Sequence, residues 1–185
     1  MRTKYSLLLI SVILAFAATA SAQAVQSVYT DLSGKRCKKL EEDANAAGYL
    51  LEQCQGIAGY KLQVISQDDR QTVTVVKPDG SKHDLVLGVI GGGGFSGLRG
   101  KAEWRVKRER GRIIPLALII RIDVSTDPSN PEKATSFLSV SKITPRSICL
   151  IEAIDPGPNA NLEARRLADS SANKPCNKLA SPDEP

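Results

Sequence analysis

Residues 102–124 read AEWRVKRERGRIIPLALIIRIDV, and this segment carries the clearest indication of the fold class. In its first part the apolar residues Ala102, Trp104 and Val106 alternate with charged residues, which is the period of a half-buried strand. Its second part, Ile113 to Val124, returns with Leu, Ile and Val at alternating positions. Two such runs joined by a short charged segment predict a long antiparallel β-hairpin.

Three further alternating runs precede this hairpin. They cover residues 60–64, 71–76 and 85–89, and Pro78-Asp79-Gly80 supplies a tight turn between the last two. This pattern predicts a meander of three strands. The glycine run 91–94 then interrupts it, and we expect a loop or short helical turn from Phe95 to Gly100.

The remaining segments give weaker signals of the same kind. We expect short strands at 27–31, 49–52, 135–143 and 147–154, a helical turn or loop at 37–45, and a helix at 159–172. The fold class predicted is therefore α+β and mainly β. It consists of an antiparallel sheet or sandwich of about seven to nine strands with one C-terminal helix and two disulfides.

Residues 1–22 have the layout of a secretory signal peptide. Arg2 and Lys4 form a positive start, residues 6–18 are an apolar run, and Ala20-Ser21-Ala22 is an A-x-A cleavage site. The mature chain would begin at Gln23 and lie in the periplasm or be secreted. Removal of the leader would lower the formal net charge from +5 to +3, which is too small a surplus to favour nucleic acid as a partner.

We divide the mature chain into one exported β-rich domain, residues 23–178, and a disordered tail, residues 179–185. After cleavage no segment is long and apolar enough to cross a membrane, since the most apolar run is broken by Pro115, Arg121 and Asp123.

Four cysteines remain after cleavage, at positions 37, 54, 149 and 176. An even number in an exported chain indicates a disulfide framework with three possible connectivities. We favour Cys37–Cys54 with Cys149–Cys176, because each pair would close a short local loop. Zinc binding is disfavoured, since there is no C-x-x-C pair and the lone His83 has no ligand partner nearby in sequence. We predict no metal and no cofactor.

Two surfaces are candidate partner contacts. The first is the charged hairpin tip, with Arg108, Arg110 and Arg112, which would suit an anionic partner or simply form a solvated turn. The second is the glycine loop with Phe95 and Trp104. The run GGGFSG at 92–97 also matches G-x-G-x-x-G by letter, but the strand-like residues after it argue against dinucleotide binding.

Catalytic arrangements are weakly supported, and we assign no catalytic residue. Glu103 and Asp123 could form a carboxylate pair on neighbouring strands, although such residues more often pair with arginines across a sheet. His83 is expected to be an exposed turn residue without a G-x-S-x-G motif to serve. The loop residues Asp127, Asn130 and Glu132 could ligate calcium, but two prolines interrupt them and the EF-hand spacing is absent.

Several phrases together resemble a group of small exported proteins of Gram-negative bacteria. They are VYTDL at 28–32, CKKLE at 37–41, QCQGIAGY at 53–60, KAEWRVK at 101–107, KITPRSIC at 142–149 and KPC at 174–176. The resemblance spans nearly the whole mature chain. It implies a periplasmic or secreted location and carries over no catalytic residues.

The function we expect is that of a non-catalytic binding module. Its partner would be a periplasmic or cell-envelope protein or an anionic envelope component, and the basic hairpin tip would make the contact. Two alternatives stay open at this point. One is an inhibitor of a secreted enzyme, similar to the lysozyme inhibitors, although a basic chain suits a basic lysozyme poorly. The other is a carboxylate-based hydrolase, which requires converging acids with a raised pKa.

Overall fold

The computed structural model describes residues 24–127, 129–130 and 132–180. The predicted signal peptide therefore lies outside the described residues. The described residues form two antiparallel sheets. Sheet A has the strand order β1-β7-β8-β9-β10 and sheet B the order β2-β3-β4-β5-β6. Their bounds are β1 Gln26–Asp31, β2 Cys37–Asp43, β3 Tyr49–Gln55, β4 Lys61–Gln67, β5 Arg70–Val76, β6 Lys82–Asp84, β7 Ser96–Glu109, β8 Arg112–Ser125, β9 Ala134–Ile143 and β10 Ile148–Ile154.

A single α-helix, α1 (Ala160–Asp169), completes the fold of the described part of the chain. The mainly β architecture, the two-sheet arrangement and the C-terminal helix are confirmed. The described residues contain ten strands, slightly more than expected. No helix among them is long and apolar enough to span a membrane.

The β7–β8 hairpin forms the centre of sheet A. Strands β7 and β8 pair along most of their length, and β1 and β9 flank them. Strand β7 begins at Ser96, so the loop expected from Phe95 to Gly100 is wrong. A break in the pairing register between Leu98 and Ala102 absorbs the glycine-containing stretch that had suggested a loop.

Sheet B differs from the prediction at its two edges. Residues 37–43 form β2 rather than a helical turn, because Cys37 lies directly opposite Cys54 of β3 and the pairing continues to Asp43. At the other edge the short β6 ends at Asp84. A 3-10 turn, Leu87–Gly92, then replaces the strand expected at 85–89. Leu85, Leu87 and Ile90 are still buried in the core.

The two faces of sheet A are covered by different layers. Sheet B covers one face, and the main core between the sheets contains apolar side chains from both, with Trp104 fully buried among them. Helix α1 covers the other face. Its inward residues Ala160, Ala164 and Ala168 recur every four positions and pack on the β8 and β9 residues Ile119 and Val140. Such small side chains let the helix lie close to the sheet.

Both predicted disulfides are confirmed. Cys37–Cys54 joins two neighbouring strands, and Cys149–Cys176 ties the segment after α1 to β10. Beyond the second disulfide, the Asn177 amide donates to the Leu150 carbonyl at 2.8 Å. Ala180 is buried in the main core, so the ordered chain extends past the Lys178 boundary. Residues 181–185 of the predicted tail lie outside the described residues.

Candidate functional site

The tip of the β7–β8 hairpin projects beyond the strands that flank it. The last pairs with neighbours are Gln26 opposite Val106 and Lys142 opposite Ala117. Beyond these levels β7 and β8 pair only with each other, through three residue pairs that end at Glu109 and Arg112. At the usual rise per strand residue, the projection is about 10 Å. The sequence prediction of a long hairpin with a basic tip is therefore correct in its geometry.

The turn at the tip consists of Arg110 and Gly111. Their φ angles are +49° and +77°, so both residues are left-handed, as in a two-residue type I′ turn. Asn-Gly or Asp-Gly is the usual pair there, since a bulky side chain disfavours the left-handed conformation. Arg110 therefore occupies a position where its side chain makes the turn less stable.

The three arginines of the tip, Arg108, Arg110 and Arg112, are all exposed. No ion pair within the described part of the chain involves any of them, whereas Lys107 pairs with Glu109 at 2.5 Å. The segment 107–112 therefore carries a net charge of +3. The exposed Arg146 lies in the turn between β9 and β10 at the same end of sheet A, and no local sequence pattern groups it with the tip.

Trp104 is not a contact residue, and its assignment to the partner surface is wrong. Its side chain has no exposed surface. The indole Nε1 donates to Thr30 Oγ1 at 2.8 Å, and the ring meets Tyr60 edge-on at 6.0 Å between centroids. Its alternation with Ala102 and Val106 already placed it on the face that is buried by sheet B.

Phe95 remains on the surface with nearly half of its area exposed (47%). The guanidinium carbon of Arg70 lies 5.2 Å from the centre of its ring, in a cation–π arrangement. Arg70 Nε also donates to the Gly93 carbonyl at 3.2 Å. Phe95 therefore packs on Arg70 of sheet B, and its exposed surface is separate from the hairpin tip.

Close packing of the chain requires the glycine directly before Phe95. A Cβ atom at Gly94 would lie 1.9 Å from the carbonyl oxygen of Ser125, so no other residue fits there. The segment that follows is strand β7, whereas a dinucleotide motif presents the N-terminus of a helix to the phosphates. Gly94 thus lets the chain pass close to Ser125 at the end of β8.

Next to Arg70, the outer face of sheet B carries an open groove of about 710 Å³. Ile65, Thr72 and Val86 are among the residues that line it. Val86 is exposed and has φ +48°, which is a strained conformation for a β-branched residue. Arg70, in the same lining, pairs with Asp68, so this groove lacks the unpaired positive charge of the tip.

The carboxylates Glu103 and Asp123 are not brought together. Glu103 stands opposite Ile119, and Asp123 stands opposite Gly97 near the other end of the hairpin. Glu103 accepts two hydrogen bonds from Arg165, at 2.6 and 3.2 Å, and one from Ser27, whereas Asp123 pairs with Arg99 at 2.5 Å. The proposed carboxylate pair is therefore wrong.

The pKa of Glu103 also argues against acid catalysis. Burial alone would raise the pKa, but the hydrogen bonds from Arg165 and Ser27 outweigh burial and hold it below the ordinary 4.5. A general acid near neutral pH needs a shift in the opposite direction. Glu103 is thus ionised near neutral pH and holds α1 against β7 through its pair with Arg165.

Sequence reasoning missed the polar network around Glu103. Arg105, two residues along β7, makes a bidentate pair with Asp169 of α1 at 2.7 and 2.8 Å. Arg165 and Asp169 are four residues apart on the helix, so both point to β7. The available signal was the charge alternation in AEWRV, which places Glu103 and Arg105 on the same face of β7.

The remaining candidates have structural explanations. His83 lies on β6 opposite Val75, and its Nε2 is buried without a hydrogen-bond partner, so the expected exposed turn histidine is wrong. Asp127 Oδ1 accepts bonds from Ser129, at 2.9 Å from the amide and 2.6 Å from the hydroxyl. Among the described residues, no group of three His, Cys, Asp or Glu side chains is placed to hold a metal ion.

Comparison with known proteins adds no relative, since no protein family, curated protein or solved structure matches the chain. The resemblance to small exported proteins of Gram-negative bacteria therefore stays a prediction. The two disulfides are typical of proteins that fold in an oxidising compartment.

Proposed function

We propose that this protein is an exported, non-catalytic binding domain that attaches to an anionic surface of the cell envelope through the tip of its β7–β8 hairpin. The observation that carries the proposal is the set of three exposed arginines, Arg108, Arg110 and Arg112, on a projecting hairpin with no acidic partner among the described residues.

The unpaired charges of the tip favour an external partner. Arginines that serve only solubility are commonly spread among acidic residues, whereas here only Glu109 is interspersed and it pairs with Lys107. The tip extends past the last residues of β7 and β8 that pair with β1 and β9, and its three arginines are exposed to an approaching surface. Guanidinium groups also bind phosphate oxygens in a bidentate manner, which suits phosphate-bearing lipid headgroups.

The conformation of Arg110 supports the same conclusion. A residue that makes its own turn less stable is expected where its side chain serves another purpose. Asn at this position would favour the turn but would carry no charge. Arg at the apex thus adds a positive charge to the tip at the expense of turn stability.

The compartment is part of the proposal. The signal-peptide layout of residues 1–22, the two disulfides and the resemblance to exported Gram-negative proteins support a periplasmic or secreted location. In that location the abundant anionic surfaces are phospholipid headgroups and lipopolysaccharide. We therefore place the partner among the anionic components of the envelope.

Neither alternative has an observation of its own in the structure. A carboxylate-based hydrolase needs two converging acids, and the two carboxylates of the hairpin are separately paired with Arg165 and Arg99. An inhibitor of a basic lysozyme needs an acidic projecting surface, and the projecting surface here is basic.

The proposal is tested by the variant Arg108→Ser/Arg110→Ser/Arg112→Ser. Its co-sedimentation with vesicles containing phosphatidylglycerol is compared with that of the unaltered mature protein. A matched control, Lys35→Ser/Lys61→Ser/Lys82→Ser, removes the same charge from exposed positions on or before sheet B. Loss of binding in the tip variant alone supports the proposal, and equal binding by all three proteins contradicts it.

A further inference from the structure

A second cluster of basic side chains lines a small cavity on the opposite part of sheet A. The cavity, of about 270 Å³, lies between the start of α1 and the sheet. We call it the α1 pocket. Lys101, Arg121, Arg165 and Glu103 line it, with Tyr29 and Asn161 beside them and Ile119 and Leu138 as buried apolar lining. It therefore presents three positive charges and one negative charge.

One of the three cations is already neutralised within the fold. Arg165 makes the bidentate pair with Glu103 and also donates to Tyr29 Oη at 3.0 Å. The Glu103 carboxylate and the Arg165 guanidinium thus cancel, and neither contributes net charge to the cavity.

Arg121 is fixed in place but not neutralised. Its guanidinium donates to Ser136 Oγ at 3.3 Å and to Asn161 Oδ1 at 3.1 Å, and both acceptors are uncharged. No ion pair among the described residues includes it, although Asp123 on the same strand is paired with Arg99. Two neutral acceptors orient the guanidinium while its charge remains available.

Lys101 supplies a second, movable charge. Its amine lies 3.7 Å from Asp31 Oδ1, which is a loose pair, and the side chain is 70% exposed. Exposed pairs of this kind contribute little and exchange readily. The amine can therefore turn toward an anion in the pocket at small energetic cost.

We infer that the α1 pocket binds a compact oxyanion, a phosphate or carboxylate group, between Arg121 and Lys101. The apolar lining by Ile119 and Leu138 excludes water from one side, which strengthens the attraction between an anion and the two cations. The volume is below that of pockets for drug-sized ligands, so the ligand or its bound portion must be small.

This site does not depend on the proposed role of the hairpin tip. Lys101 and Arg108 are seven residues apart on β7, which corresponds to about 20 Å along the strand. A compact anion in the α1 pocket therefore cannot also contact the tip arginines. Each site can fail its test without affecting the other.

The test is a titration of the mature protein with inorganic phosphate and, separately, with acetate, followed by NMR of the backbone amides and the Ile119 and Leu138 methyl groups. Saturable shifts confined to the pocket are expected with at least one anion. Response to phosphate alone assigns a phosphate ligand, response to acetate alone assigns a carboxylate ligand, and response to both assigns a general oxyanion site. No saturable response to either anion overturns the inference.

Variants separate a site from general charge attraction. Arg121→Gln should weaken binding at least tenfold, because it removes a charge-assisted hydrogen bond. Arg146→Gln removes one exposed charge elsewhere and should change the affinity less than twofold. Lys101→Gln, at a mainly exposed position, should weaken binding without affecting folding. Equal affinity of the wild type, the Arg121 variant and the Lys101 variant contradicts the site, as does equal weakening by Arg146→Gln.

Discussion

The carboxylate of Glu103 on β7 receives two hydrogen bonds from the guanidinium of Arg165 on α1, with Nε–Oε1 2.6 Å and Nη2–Oε2 3.2 Å. Arg105 and Asp169 repeat the arrangement with the charges reversed between strand and helix. Since the apolar contacts of α1 are made mainly by alanines, these two pairs contribute much of its attachment to sheet A.

Replacement of Glu103 should destabilise the fold. In Glu103→Gln the guanidinium of Arg165 loses its anionic partner, and Arg105, which is only 8% exposed, loses a neighbouring negative charge. We expect unfolding free energy in urea to fall by about 2–3 kcal/mol, the usual effect of losing a charge-assisted bond in a partly buried setting. The control Glu42→Gln breaks an exposed pair with Lys39 and should cost under about 1 kcal/mol. Equal effects of the two changes would contradict this role.

The same residue predicts a dependence of stability on pH. The pKa of Glu103 in the folded protein is below its ordinary 4.5, so the pair stabilises the fold above that pH. This contribution is lost as the pH falls through the folded value, where the carboxylate becomes protonated. The difference in unfolding free energy between the wild type and Glu103→Gln should therefore be largest near neutral pH and shrink below pH 4.5. A difference that stays constant between pH 7 and pH 3 would show that ionisation of Glu103 plays no part.

Replacement of Arg110 at the apex of the hairpin should have opposite effects on stability and on binding. Arg110→Asn places a residue that tolerates φ +49° in the turn, so unfolding free energy should rise by roughly 0.5–1 kcal/mol. Binding to anionic vesicles should fall about fivefold, since one arginine near such a surface contributes about 1 kcal/mol. Arg110→Ala removes the same charge without favouring the turn, and it should weaken binding equally with no gain in stability. If both variants have the same stability, Arg110 is not strained.

Trp104 should affect stability and leave binding unchanged. Trp104→Phe removes the bond to Thr30 Oγ1 and leaves space in the main core, at an expected cost of about 2–4 kcal/mol in urea unfolding. Vesicle binding by the folded variant should match that of the wild type, because the indole is fully buried. If the variant binds more weakly and its stability is unchanged, Trp104 contacts the partner after all.

Local patterns in the sequence were sufficient for the central hairpin, the meander of β4 and β5, the helix and both disulfides. Each depends on alternation, turn residues or loop length, which are properties of neighbouring residues. Strand β2 was missed because CKKLEED is polar and lacks alternation. It becomes a strand through pairing with β3, where Cys37 lies opposite Cys54.

Only the part of the candidate site that lies in an exposed turn could be predicted from the sequence. The tip arginines follow from the charged segment between two strands, so their positions were expected. The pairs between β7 and α1 join residues more than sixty positions apart, such as Arg165 and Glu103, and no local pattern reports such contacts. The α1 pocket depends on the same long-range packing, since Lys101, Arg121 and Asn161 come from three separate elements.

The most direct test of the account is the partition of the mature protein onto phosphatidylglycerol vesicles as a function of salt. We expect the wild type and the Lys35/Lys61/Lys82 serine control to bind at low salt and to be released as salt rises. The Arg108/Arg110/Arg112 serine variant should bind on the order of 100-fold more weakly at low salt, from about 1 kcal/mol per arginine. If that variant partitions like the control, or if the wild type does not bind, the hairpin tip is not an attachment surface for anionic membranes.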